Sequence, residues 1–252
     1  LPRPCDSGPG GRQLSLFDAP ADFVVRRSRR ARRLSLRVFP HGLVEVVAPE
    51  RAAERAIRRF VTEHREWIGR ARRELGVPAR SPGVRPPGHI VLAALGERWE
   101  VAYEDGRRRL QAAPADLGGQ IRLGSAADAA MRVRQLRRWL QQRGRDVLPD
   151  WLATVSEETG LEYRRVTIRR QRSRWGSCSA QHHISLNCAL LFLEPHLVRH
   201  VLLHELAHTR HLNHSGRFWR LVARLAPDFE HAEAELRHAW RCVPAWVNHD
   251  PW

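Results

Sequence analysis

The sequence predicts an α+β protein. Three observations carry that prediction: short alternating segments rich in apolar and β-branched residues recur in the first half, long stretches of helical periodicity follow, and one helical stretch holds His204-Glu205-Leu206-Ala207-His208. With 252 residues, 42% of them hydrophobic, and nine tryptophans, the chain can bury a sizeable core as one large domain or two small ones. Composition and pattern divide it into a tail, 1–21, a β-rich part with one helix, 22–123, and a part carrying the H-E-x-x-H pentapeptide, 124–252.

Residues 1–21 are rich in proline and glycine and lack periodicity, which is the pattern of a disordered tail. Within it, Gln13-Leu14-Ser15-Leu16-Phe17 resembles the short peptide by which bacterial DNA-replication and repair proteins dock on the polymerase sliding clamp. A tail strand packed on its own domain is the alternative. Residues 23–49 read as three strands, FVVRRS, RRLSLRVF and LVEVVAP, the last two joined by a Pro40-His41-Gly42 turn, in an antiparallel sheet with its arginines in solvent. Residues 50–75 form an amphipathic helix with Ile57, Phe60, Val61, Trp67, Ile68 and Leu75 on one side. Trp67 is expected in the core.

GVPARSPGVRPPG, 76–88, is a loop or linker, and HIVLAAL, RWEVAYE, RRRLQAA and QIRLG then form a meander of strands. Ser125 is placed to cap a helix over 126–148 carrying Met131, Val133, Leu136, Trp139 and Leu140. Pro149 is expected to break it, and a shorter helix, 150–159, ends at Gly160. In residues 163–193, Val166 and Ile168 alternate with arginines, Trp175-Gly176-Ser177 looks like a turn, and Ile184, Leu186 and Cys188 alternate again. The expected result is a hairpin that runs into the next helix.

That helix, 195–212, opens with Pro195 at a favourable first position and carries Leu197, Val198, Val201, Leu202 and Ala207 on an apolar face. His204 and His208 lie one turn apart on the same side, so both imidazoles reach one metal ion. Glu205 stands beside them, placed to hold a water and take its proton. A catalytic zinc site wants a third protein ligand and an open position. Asn213 tolerates the left-handed conformation that ends helices and Ser215 caps the next one, so His214 sits at a corner that folds back on the metal. His211 is the competitor, but it is still on the helix and turned away. A buried helix also makes unpaired His and Glu costly, which favours a metal over chance occurrence.

The net charge is +16, which invites a nucleic-acid or phosphate partner, yet all 43 basic residues are arginine, a bias that a GC-rich coding sequence produces by itself. Cys5, Cys178, Cys188 and Cys242 form no C-x-x-C pair and read as free thiols. No run of eighteen apolar residues and no hydrophobic leader is present, so the expectation is a cytoplasmic protein with no membrane contact. His182, His183, His196, His200, His238 and His249 read as surface or supporting residues. His231 and Glu235, on a C-terminal helix, offer a remote alternative for metal binding. Trp240, Trp246 and Trp252 are expected to pack the C-terminal segment.

RRQRSRWGSC, ISLNCALLFLEP and HELAHTRHLNHSGRFW together resemble the YgjP-like metallopeptidase family, a relative of the SprT-like minigluzincins. RRSRRARRLSLRVFPHGLVEVVAP and the helix ending REWI resemble that family's opening, so the likeness spans about 23–242, and 22–242 as one such unit. The resemblance implies a minigluzincin-like zinc hydrolase part, with a small antiparallel sheet and the H-E-x-x-H helix, zinc or another divalent metal on His204, His208 and His214, and Glu205 as base. Arg172, Arg174, Trp175, Gly176, Ser177 and Cys178 carry over as a segment near the site, with Arg172, Arg174, Trp175 and Ser177 as candidate substrate contacts. The metzincin peptidases share the spacing of the third histidine but require a glycine where this chain has His211 and a methionine turn downstream; the single methionine, Met131, lies upstream.

Three functions follow. The first is a metallopeptidase that uses zinc-activated water with Glu205 as general base and holds extended peptide on an edge strand beside the helix. Arg174 and His200 are candidates to stabilise the oxyanion. The second is a metal-dependent nucleotide phosphohydrolase of the UTP pyrophosphatase kind, with Arg169, Arg170, Arg172 and Arg174 holding phosphate. The third is a DNA-associated binding module with a structural metal, supported by the charge and the clamp-like peptide.

Overall fold

The computed structural model describes residues 23–39, 42–74, 86–104, 110–124 and 128–248. The tail with Gln13 to Phe17, and with it Pro40, His41, Leu75, Ser125, His249 and Trp252, lies outside these residues. By contacts the chain divides near Ala71 into two compact units, with Phe39 and Gly42 grouped with the second.

In the first unit, β1 (Phe23–Ser28), β2 (Ser35–Val38) and β3 (Val44–Pro49) form a sheet ordered β1-β3-β2. The expected antiparallel sheet is mixed, because β1 pairs parallel with β3 and only β2 pairs antiparallel. β3 is buried along nearly its whole length and therefore takes the centre, which leaves β1 the far edge. The single helix expected over 50–75 is two, α1 (Glu54–Glu63) and α2 (Arg65–Glu74), separated at His64, whose backbone leaves the helical region at φ −101° and ψ 13°. Ile57, Val61 and Ile68 pack on Val44, Val46 and Ala48. Trp67 is not core: it is 43% exposed, because its neighbour Ile68 occupies the stripe that faces the sheet.

The second unit begins with β4 (His89–Leu92), β5 (Glu97–Glu104), β6 (Gln111–Ala115) and β7 (Gly118–Gly124), ordered β4-β5-β7-β6. This is not the expected meander, since β5 and β7 run parallel. β6 is exposed throughout and takes the edge, whereas Ile121 and Leu123 draw β7 into the middle. Gly118 makes that insertion possible: at φ 134° it abuts the Arg98 backbone, and a Cβ there would stand 1.8 Å from the Arg98 carbonyl oxygen. This sheet shares one core with the helices that follow, although the sequence division at 123 groups it with the first sheet.

α3 (Ala129–Thr159) is capped by the Asp128 carboxylate, which accepts from the Met131 N–H. It runs unbroken through Pro149, where the pattern predicts a stop, and ends at Gly160 in the left-handed conformation at φ 65°. Burial explains the continuity. Leu140, Leu148, Leu152 and Val155 form one fully buried stripe on both sides of the proline, and that packing outweighs the ~3 kcal/mol a proline costs inside a helix. Met131, at the start of α3, is largely exposed and lies outside the core. Gly144 lets α3 approach closely, since a Cβ there would lie 3.1 Å from the Ile168 side chain and 3.2 Å from Cys188.

β8 (Arg165–Arg169), β9 (Gly176–Cys178) and β10 (His183–Asn187) form a third sheet ordered β8-β10-β9. Gly176 and Ser177 are strand rather than turn. The hairpin joins β9 to β10 through His182, at φ 59°, and β8 pairs parallel with β10. A fully buried 3-10 segment, Cys188–Phe192, leads into α4 (Pro195–Ala207), followed by α5 (Gly216–Leu225), α6 (Phe229–Leu236) and α7 (Ala245–Asn248). Trp240 and Trp246 are buried. Among the described residues no helix is long and apolar enough to cross a membrane. The molecule is thus α+β, with small sheets and seven α-helices among those residues.

Candidate metal centre

α4 is buried along most of its length, with Leu197, Val198, Val201, Leu202, Leu203 and Leu206 in the core. The helix stops earlier than 212, with His208 as its C-cap in right-handed geometry. Asn213 does not adopt the left-handed conformation expected of it; the chain turns instead through tight bonds from the Thr209, Arg210 and His211 amides to the Leu206 and Ala207 carbonyls. Ser215 is the N-cap residue of α5, without a side-chain cap bond.

This turn brings His214 back over the helix. Ring nitrogens of His204, His208 and His214 all lie within 4.8 Å of one another, and His204 Nε2 is 3.0 Å from His214 Nε2. Two lone pairs at that distance repel unless a cation or proton lies between them. Phe218, fully buried, stacks on His208, and Trp219 stacks on His214, so aromatic surfaces fix both rings. Burial holds His208 below the usual histidine pKa, and burial together with the neighbouring His204 does the same for His214. Both therefore favour the neutral form that binds metal.

The second ring nitrogens of His208 and His204 are engaged. His208 Nδ1 lies 3.0 Å from the His211 carbonyl, and His204 Nδ1 lies 3.4 Å from Glu233 Oε1 on α6. Each partner holds its imidazole in the tautomer that leaves Nε2 free. The same Glu233 oxygen is 3.0 Å from Nε2 of His200, which is only 4% exposed. Hydrogen bonds from His200 and then His204 hold the Glu233 carboxyl well below the usual carboxylate range. Glu233 carries no signal in the sequence, whereas its neighbours His231 and Glu235, the expected remote alternative, pair with each other near the surface. Nothing in the spacing distinguishes the three; only the direction in which α6 packs does. His211 contributes its carbonyl to the site, and His200, proposed for the oxyanion, is instead tied to Glu233.

Glu205 is buried beside the cluster at 6% exposure, and its Oε2 has no hydrogen-bond partner among the described residues. Burial pushes its pKa up to about 8, against a smaller opposing pull from Arg174. The carboxyl opens on a cleft of about 290 Å³ lined by Trp175, Gly176, His200, Val201, His204 and Glu233, among others. An orphaned buried carboxylate next to three converging imidazoles fits a cation: the donor set suits zinc or another transition metal.

The wall opposite α4 is β9. Asn187, fully buried, bonds through Nδ2 to the Gln171 and Arg174 carbonyls and so anchors the segment leading into it. Trp175 stacks on Trp240, with ring centroids 4.1 Å apart. The Asn187 amide bonds to the Trp175 carbonyl and the Ser179 amide to the His183 carbonyl. By antiparallel alternation Ser177 faces β10 as well, which leaves the backbone N–H and C=O groups of Gly176 and Cys178 on the outer edge of the sheet. Of the candidate substrate contacts, Trp175 lines the cleft and Arg174 stands near enough to act on Glu205. Ser177 lies on the other face of the sheet, and Arg172 is not among the residues lining the cleft. Cys178, Cys188 and Cys242 are free thiols.

Comparison with solved structures finds a crystal structure of the metallopeptidase zymogen abylysin from Pyrococcus abyssi. It is 28% identical over 36% of this chain and 91% of its own, at a TM-score of 0.33. No match is found among curated proteins. The family model for the YgjP-like metallopeptidase domain matches residues 32–239, which takes in β2 and β3 of the first sheet, the long helix, the histidine cluster and Glu233. A cluster suited to a divalent metal therefore sits inside a match to most of the sequence, and the chain belongs to the YgjP-like metallopeptidase family.

Proposed function

We propose that the protein is a zinc metallopeptidase of minigluzincin-like architecture, with His204, His208 and His214 as ligands and Glu205 as general base. The observation that supports this is the buried Glu205 carboxyl, which follows His204 of the three converging imidazoles in the chain and packs against Gly176 of the edge strand β9. When bound, zinc would polarise the scissile carbonyl and acidify a water molecule. The chain's own residues supply the remainder. An extended peptide adds to β9 through the exposed backbone groups of Gly176 and Cys178, which sets the peptide bond across the cleft. Glu205 takes the proton from water on its unpartnered Oε2 and returns it to the leaving amine nitrogen. Arg174 lies near that carboxylate and favours its ionised form.

The nucleotide reading is less well supported. Of the arginines expected to hold a triphosphate, Arg170 bonds the Val247 carbonyl and Arg169 lines a groove on the other face of the sheet, while Arg174 acts on Glu205. A purely structural metal is disfavoured by the open cleft beside Glu205, since structural zinc is normally closed by four protein ligands. The test is cleavage of an unfolded protein by the zinc-loaded enzyme, with UTP as the rival substrate. Glu205→Gln should keep its metal and lose turnover by about 10²–10⁴-fold. Glu205-dependent release of diphosphate from UTP, without proteolysis, would refute the proposal.

A further inference from the structure

The third sheet has a face that the reaction does not use. Gly176, Cys178, Ile184 and Leu186 are paired across β9 and β10 and turn toward Glu205 and the core, so the alternate residues turn the other way. On that side Arg165, Thr167 and Arg169 of β8, Ser185 of β10 and Ser177 of β9 line an open groove of about 550 Å³, with Arg174 at its rim. Thr167, Ser185 and Ser177 stand in register across the three strands, a row of hydroxyls between two arginines. Arg165, Arg169 and Arg174 are exposed, and no aspartate or glutamate lines the groove. Some other exposed arginines sit against carboxylates, as Arg29 does with Glu50, Arg58 with Glu54 and Arg199 with Glu158.

We infer that this face binds the phosphate backbone of double-stranded nucleic acid and tethers the enzyme there while the reverse of the same sheet borders the cleft. A guanidinium fork matches phosphate oxygens, and hydroxyls are frequent companions in backbone contacts. Extent selects a duplex over a free nucleotide: Arg165 and Arg169 are four residues apart on a strand, about 13 Å at the usual rise, a spread suited to several phosphates of a polyanion. Chemistry selects it over single strands, because the His183 imidazole is the one ring among the residues that line the groove, and successive bases of a single strand would have no row of rings to stack on. The inference is independent of the bond cleaved at the metal.

The experiment is fluorescence anisotropy of the full chain with a short mixed-sequence DNA duplex across a range of salt concentrations. Arg165→Ser/Arg169→Ser is compared with Arg30→Ser/Arg33→Ser, which removes the same charge from exposed positions of the first unit. Wild type should bind with a steep salt dependence, and the sheet variant should lose about 2 from the slope of log K against log salt, at ~0.9 per phosphate contact, with the control unchanged. Unaltered circular dichroism and metal content establish that the sheet variant is folded; Arg165→Gln/Arg169→Gln repeats the comparison should the serine variant unfold. Equal loss in both variants would overturn the inference. So would wild-type protein that ignores the duplex at low salt, or that binds UTP or polyglutamate as tightly.

Discussion

Gly176 and Glu205 are in such close contact that a Cβ on residue 176 would lie 2.6 Å from Glu205 Oε1 and 2.7 Å from its Cγ. The edge strand and the carboxyl thus occupy adjoining space in which only a hydrogen fits.

Gly176→Ala should therefore push Glu205 or β9 out of place while leaving the histidines untouched. A displacement of about 1 Å at a reacting group costs roughly 10²-fold in rate. Steady-state proteolysis with metal content measured in parallel checks it: turnover should fall by about that factor with metal retained. Full activity in the alanine variant would show that the contact is not critical.

Glu233 should act through metal affinity. Its carboxylate orients His204, and loss of such a partner typically weakens binding by 10–100-fold. Competition with a chromophoric chelator should show that weakening in Glu233→Gln, and little change in Glu235→Gln, whose side chain pairs with His196 and His231 instead.

The contribution of Glu205 to the stability of the metal-free protein should fall as pH rises from about 5 to 8. The folded Glu205 pKa, about 8, lies above its ordinary value of 4.5, so its stabilising contribution is full below that ordinary value and is lost as pH climbs through the folded one. At about 1.4 kcal/mol per pH unit, the span is worth a few kcal/mol. His208 and His214 act oppositely, since their lowered pKa values remove stability as pH falls through the histidine range. Thermal denaturation of wild type minus Glu205→Gln isolates the carboxyl: the difference should slope with pH in metal-free protein and flatten when zinc is added.

Pro149→Ala should stabilise the fold. It restores an N–H inside α3 at a position already helical, and the gain should be about 1–3 kcal/mol by chemical denaturation. A loss would mean that α3 uses the proline for a bend its packing requires.

Much of the histidine cluster that could hold a metal was legible in the sequence because it is local. His204, Glu205 and His208 are related by one helical turn, and His214 follows within a single loop, so spacing alone brings them to one side. Strand segments were legible too, since apolar alternation is also a local property. Pairing was not: β1 with β3, β5 with β7 and β8 with β10 are parallel, and each was settled by which strand had most surface to bury. The stop predicted at Pro149 failed for the same reason, as a buried leucine stripe overrode a local penalty. Glu233, the His211 carbonyl and the contact of Gly176 with Glu205 belong to the tertiary structure alone, although the resemblance already places Gly176 in a segment near the site. No periodicity marks them; they matter because α6, β9 and the turn after α4 pack where they reach His204, Glu205 and His208.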